Sequence, residues 1–116
     1  MSVPENNRRE SSRLKLRVPV EIFVAGSDSP MRGATADLSL TGCYIESIFP
    51  FAIGTELELK LQIDGTLIVF AKVVTSDPQV GNGIQFVKML PEDIEELRAF
   101  LEAAEKAEKE ASEKKE

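Results

Sequence analysis

Between Glu56 and Ile63 the chain alternates without a break. Leu57, Leu59, Leu61 and Ile63 take every second position, and Glu56, Glu58, Lys60 and Gln62 stand between them. A strand sends successive side chains to opposite faces, so this run has one apolar and one charged face. Asp64-Gly65 follows at once, a dipeptide suited to the tight turn of a hairpin. The chain then returns through Thr66 to Thr75, where Ile68, Val69, Phe70, Val73 and Val74 make a more continuously apolar strand.

Shorter runs of the same kind lie on either side. Val18, Val20, Ile22 and Val24 alternate with Pro19, Glu21 and Phe23 in a first strand from Val18 to Ala25. Pro19 has no N–H to donate, which puts that end at a sheet edge or strand start. Gly26 to Pro30 is a loop by composition, Met31 to Leu38 is a second strand and Cys43 to Ile48 a third, before Phe49-Pro50-Phe51 breaks the pattern. Asp77-Pro78 opens a turn and Gly83 to Val87 is the sixth strand. Six short strands at close spacing predict a small barrel or sandwich, and closure into a barrel would leave no exposed edge. A helix follows from Pro91: Glu92 and Asp93 suit the positive end of its dipole, and Ile94, Leu97, Leu101 and Ala104 form an apolar stripe. Beyond Ala104 the stripe shrinks to alanines among glutamates and lysines, and fraying is expected by Ser112.

With 116 residues, 42% of them apolar, the chain has room for one domain and one modest core. No apolar run approaches the length needed to cross a bilayer, and the N-terminus is polar and arginine-rich, so a cytoplasmic protein without membrane insertion is expected. There is no histidine and a single cysteine, Cys43, which reads as a small buried hydrophobe. That inventory excludes zinc sites and histidine-based triads, and no phosphate-binding glycine loop or dinucleotide fingerprint is present. The expectation is a protein with no catalytic residues, no metal and no cofactor. The net charge of −6 hides an asymmetry, because residues 1–17 carry Arg8, Arg9, Arg13, Lys15 and Arg17 against Glu5 and Glu10, a net of +3. An acidic protein with a basic arm is a poor binder of long DNA or RNA and suits a small anion that the arm can enclose.

Two short motifs sharpen this. Asp37-Leu38-Ser39-Leu40-Thr41-Gly42 joins the second and third strands. Asp37 is an acceptor, Ser39 donates and accepts, and Gly42 tolerates backbone geometry that a β-carbon forbids. Period-2 alternation would bury Leu38 and Leu40 and leave Asp37 and Ser39 on the opposite face. Taken alone, these are ordinary turn residues. Upstream, Arg9, Arg13 and Arg17 recur every four residues just ahead of the first strand. Arg-x-x-x-Arg, a strand that starts at once and Asp-x-Ser-x-x-Gly about twenty residues later together resemble the PilZ family, the bacterial receptors for cyclic di-GMP. The resemblance runs from about Arg8 to Leu101.

That resemblance implies an all-β fold with a C-terminal helix, namely a six-stranded antiparallel barrel over residues 18–90. A flexible basic arm (1–17) would precede it and an amphipathic helix with a charged tail (91–116) would follow. It also implies cyclic di-GMP as ligand, held by Arg9, Arg13, Arg17, Asp37, Ser39 and Gly42. In the family the second arginine directly precedes the first strand, which favours the pair Arg13 and Arg17; Arg9 and Arg13 satisfy the same spacing. An arginine fork can meet guanine O6 and N7 with two hydrogen bonds or stack on the base. Asp37 would accept from guanine N1–H and the 2-amino group, Ser39 would bond to base or phosphate, and Gly42 would shape the turn. Ligand would order the arm, and the new surface would recruit a protein partner in motility, biofilm or secretion machinery. Family members lacking the ligand motifs act as protein-interaction modules, so an adaptor that binds no nucleotide is the competing reading. An RNA-binding barrel is disfavoured by the net charge and by the lack of an evident aromatic cluster.

Overall fold

The computed structural model describes residues 13–114, the side chains of 111–114 excepted. Six strands form a closed barrel: β1 (Pro19–Val24), β2 (Met31–Leu38), β3 (Gly42–Glu46), β4 (Glu56–Gln62), β5 (Thr66–Asp77) and β6 (Gly81–Met89), followed by one long helix, α1 (Pro91–Lys114). Around the barrel the order is β1-β2-β3-β6-β5-β4, with every neighbouring pair antiparallel. The alternative of a sandwich is thereby settled in favour of the barrel.

The strand order is set by one crossover. After β3 the chain runs through residues 47–55 to the far side, where β4 pairs with β1 and closes the sheet. The meander β4-β5-β6 then brings β6 back beside β3. The crossover is held by Asn82 of β6, which is buried. Its Oδ1 accepts from the Phe51 N–H at 2.8 Å, and its Nδ2 donates to the carbonyls of Phe51 and Thr75 at 2.9 and 3.1 Å. A buried amide with all these partners satisfied is a fixed point, and Phe51 packs on the core beside it.

The alternation in β4 works as its sequence dictates. Leu57, Leu59 and Leu61 are buried, and they meet Val20, Ile22, Leu67, Val69, Ala71 and Val73 inside the barrel. Leu97 of α1 is fully buried, and Phe100 and Leu101 pack beside it, so the first half of the helix covers the core. The carbonyl of Leu90 accepts from the N–H groups of Asp93 and Ile94, both at 2.9 Å, which fixes where the helix starts. Past Ala104 the helix is exposed through Glu110, and it continues to Lys114. Among the described residues no helix is long and apolar enough to cross a membrane.

Candidate functional site

The inward alternation of β1 extends upstream of Pro19. Leu14 and Leu16 are half-buried and Val18 is buried, while Arg13, Lys15 and Arg17 are exposed. Leu16 packs on the core. The segment continues the β1–β2 pairing: Leu14 and Leu38 exchange two backbone hydrogen bonds, both at 2.9 Å, and the Thr35 N–H donates to the Val18 carbonyl at 3.0 Å. Between those two points the chain slips by one residue, and Thr35 fills the gap. Its buried hydroxyl donates to the Leu16 carbonyl at 2.6 Å and accepts from the Val18 N–H at 2.9 Å.

This docking puts the two motifs together. Arg13 Nη1 donates to Asp37 Oδ1 at 2.8 Å, an ion pair 43% and 30% exposed at its two side chains. Asp37 occupies the end of β2, and Gly42 starts β3 directly below the pair. A β-carbon on Gly42 would strike the carbonyl oxygen of Ile84 in β6 and would stand 3.4 Å from Arg13 Nη2. Glycine is therefore required for β3 to approach β6 beneath the arginine.

Ser39 departs from its expected face. The alternation ends with β2 at Leu38, the chain turns, and Ser39 is fully buried rather than exposed beside Asp37. Its hydroxyl donates to the Gly42 carbonyl at 3.1 Å and accepts from the N–H groups of Gly42 and Thr41 at 3.1 and 3.2 Å. With its backbone N–H bonded to the same carbonyl at 2.8 Å, Ser39 holds the turn that carries Asp37 and Gly42. Leu40 is half-buried against the core, placed there by the turn and not by strand alternation.

Arg17 is exposed and makes no ion pair among the described residues. Four residues along an extended chain span about 13 Å, so it lies on the same outer face as Arg13 but well away from Asp37. Arg9 lies outside the described residues. Arg13, Asp37 and Gly42 thus come together, Ser39 supports them from below, and Arg17 stands apart.

Two neighbours complete the electrostatics. Cys43 is buried under the ion pair, and burial pushes its thiol up to about 12 from 9.0; the charge of Arg13 opposes the shift and that of Asp37 adds to it. Tyr44 is the cross-strand partner of Asp37 in β2 and of Gly83 in β6. Its hydroxyl donates to Asp77 Oδ2 at 2.7 Å. Desolvation, that hydrogen bond and the charges of Asp77, Glu46 and Asp37 push its phenol up to about 12 from 10.0. Among the described residues no group of His, Cys, Asp and Glu side chains converges as metal ligands would.

Sequence reasoning missed Thr35, Asn82 and Tyr44. Nothing local marks Thr35 or Asn82, whose roles depend on strands distant in the chain. Tyr44 carried a faint signal, being two residues past Gly42 and the only tyrosine.

The profile of the PilZ domain family matches residues 7–103. No curated protein sequence matches the chain. Among solved structures, the PilZ domain of CeSA from a cellulose-synthesizing bacterium is 24% identical with a TM-score of 0.63, over 81% of this chain and 99% of that one. YcgR from Escherichia coli, solved with c-di-GMP, is 18% identical with a TM-score of 0.74, over 94% of this chain and 51% of that one. The Bacillus subtilis inhibitor of motility, MotI/DgrA, is 18% identical with a TM-score of 0.67, over 87% and 51%. The chain therefore spans about half the length of these last two proteins, and at such identity the likeness shows the fold. The profile reaches further, since it takes in both motifs and most of the sequence: the chain belongs to the PilZ domain family.

Proposed function

We propose that this chain is a receptor for cyclic di-GMP. The observation that carries the reading is the meeting of Arg13 and Asp37 over Gly42, which joins two motifs that lie 24 residues apart in the chain. An ion pair this exposed is worth roughly 0–1 kcal/mol, so a ligand that satisfies both partners can replace it. Guanine does so: O6 and N7 accept from the arginine fork, while N1–H and the 2-amino group donate to the carboxylate. Ser39 serves by fixing the turn, and Lys15, Arg17 and Arg9 supply positive charge for the two phosphates. YcgR has been solved with c-di-GMP on the same fold, which supports the reading.

On binding, the arm ahead of Leu14, with Arg9, closes on the nucleotide over the Arg13 and Arg17 that the docked segment already presents, while the barrel scarcely changes. A protein partner that prefers the resulting surface is recruited by mass action. Isothermal titration of the purified chain with cyclic di-GMP tests the receptor reading. The expected dissociation constant is micromolar or tighter, on the order of −8 kcal/mol, with GMP far weaker. A flat titration at high micromolar ligand would instead support the adaptor reading. One observation favours that second reading: Ile48, Phe49 and Val80 are 67%, 85% and 55% exposed, an apolar surface beside the crossover.

A further inference from the structure

The site has a neighbour that neither motif includes. Tyr44 stands directly across from Asp37 on the outer face of the barrel, so its β-carbon lies about 5 Å from that of the aspartate that Arg13 holds. From there it leans away from Asp37 across β6. Its far edge lies over Gly81, where a β-carbon would come within 2.9 Å of Tyr44 Cε2, and its hydroxyl reaches Asp77 on β5 at 2.7 Å. Gly83, its partner in β6, has no side chain of its own, and the space above it is taken by Thr75, whose Oγ1 accepts from the Gly83 N–H at 2.9 Å, so the floor under the ring is Gly81. One end is covalently fixed and the other is hydrogen-bonded.

We propose that Tyr44 is a stacking platform for a purine base, and that it sets the orientation of the nucleotide in the site. The inference rests on the cyclic di-GMP reading and adds to it a residue and a direction. Charge around the site is divided. Arg13, Lys15 and Arg17 lie on the β1 side of Asp37, whereas Asp77 and Glu46 lie on the Tyr44 side. Phosphate belongs over the first group and is repelled by the second. A guanine whose N1–H and 2-amino group point at carboxylates belongs over the second, with its face on the tyrosine. Stacking of a base on an aromatic ring tolerates small errors of placement, so a rigid platform contributes affinity without demanding a perfect register. The nucleotide thus lies across the strands from β1 toward β6, phosphates at the arginines and one base over Tyr44.

Tyr44 is the only tyrosine and the chain has no tryptophan, so its emission reports on this one ring. Titration of the intact chain with cyclic di-GMP should quench that emission saturably, with the midpoint found by calorimetry, after correction for absorption with free tyrosine. Tyr44→Leu, which keeps bulk but has no aromatic face, should weaken binding about tenfold or more. Tyr44→Phe, which keeps the face and loses only the bond to Asp77, should stay within about threefold of the original. Far-UV circular dichroism of both variants shows whether the barrel is intact. Calorimetric binding with unchanged emission at saturation, or with Tyr44→Leu within twofold of the unaltered chain, overturns the platform while leaving the receptor standing. No calorimetric binding by the unaltered chain overturns both.

Discussion

Arg13 is the residue on which the two motifs turn. It is the described arginine of the arm that reaches Asp37, and its charge-assisted bonds are the ones a guanine or phosphate would inherit. Arg13→Ala should therefore weaken cyclic di-GMP binding by about 1.5–3 kcal/mol, and Arg17→Ala by less, as read by calorimetry. A larger loss at Arg17 would place the nucleotide away from Asp37. Cys43, just below, makes a separate prediction about stability. Its thiol is pushed up to about 12 in the folded chain against 9.0 when unfolded, so folding favours the protonated form. That contribution is complete below pH 9 and is lost as pH rises from 9 toward 12, at up to about 1.4 kcal/mol per pH unit. Urea midpoints should fall over this range, and Cys43→Ala should flatten the fall between pH 9 and 10, below the range where Tyr44 adds its own loss in the same direction. An unchanged slope in Cys43→Ala would assign the alkaline loss to another group.

The element that matters most for the site is the short run from Leu14 to Val18. It is tied to β2 at both ends by backbone bonds and at its slip by the hydroxyl of Thr35. Thr35→Val keeps the shape of that side chain but leaves the Leu16 carbonyl and the Val18 N–H without their partner. The expected cost is about 2–4 kcal/mol in urea unfolding. Because the same bonds aim Arg13, ligand binding should weaken in this variant even at temperatures where it remains folded. Full affinity in Thr35→Val would mean that Arg13 is positioned by the Leu14–Leu38 bonds alone. The turn from Ser39 to Gly42 is the matching element on the other side. Gly42→Ala would push β3 from β6 at Ile84, an effect on the barrel as well as on the ligand.

For the whole molecule, the division of labour is between a barrel with a continuous core and an arm attached along one strand. Leu57, Leu59 and Leu61 are each no more than 3% exposed, so ligand has little to tighten there. Leu14 to Val18 is already bonded to β2 in the free chain, so amide exchange should show protection rising ahead of Leu14, across residues 8–13, when cyclic di-GMP is added, with little change from Leu57 to Ile63. Ordering a segment has an entropic cost, so the affinity should be moderate for the contacts made. Equal protection of the arm with and without nucleotide would remove the switch and leave a static receptor. The long exposed second half of α1 projects from the barrel, charged on all sides through Glu110, and contributes no residue to the site.

Local order was legible in the chain because alternation and turn chemistry act between near neighbours. Leu57 to Ile63 with Asp64-Gly65 marked β4 and its hairpin, Pro91 marked the start of α1, and Leu97 was placed on its buried face. Pairs separated along the chain were legible only through the family motif, which is why Arg13, Asp37 and Gly42 could be named together before any geometry was known. Three things were decided by tertiary structure. The insertion of β6 between β3 and β5 depends on where the crossover lands, and no local pattern encodes that. Ser39 is buried because the strand ends one residue before it, and alternation has no force in a turn. Tyr44 gained its place beside Asp37 from strand register and its floor from Gly81, nearly forty residues downstream; only pairing across the sheet could bring those residues to one face.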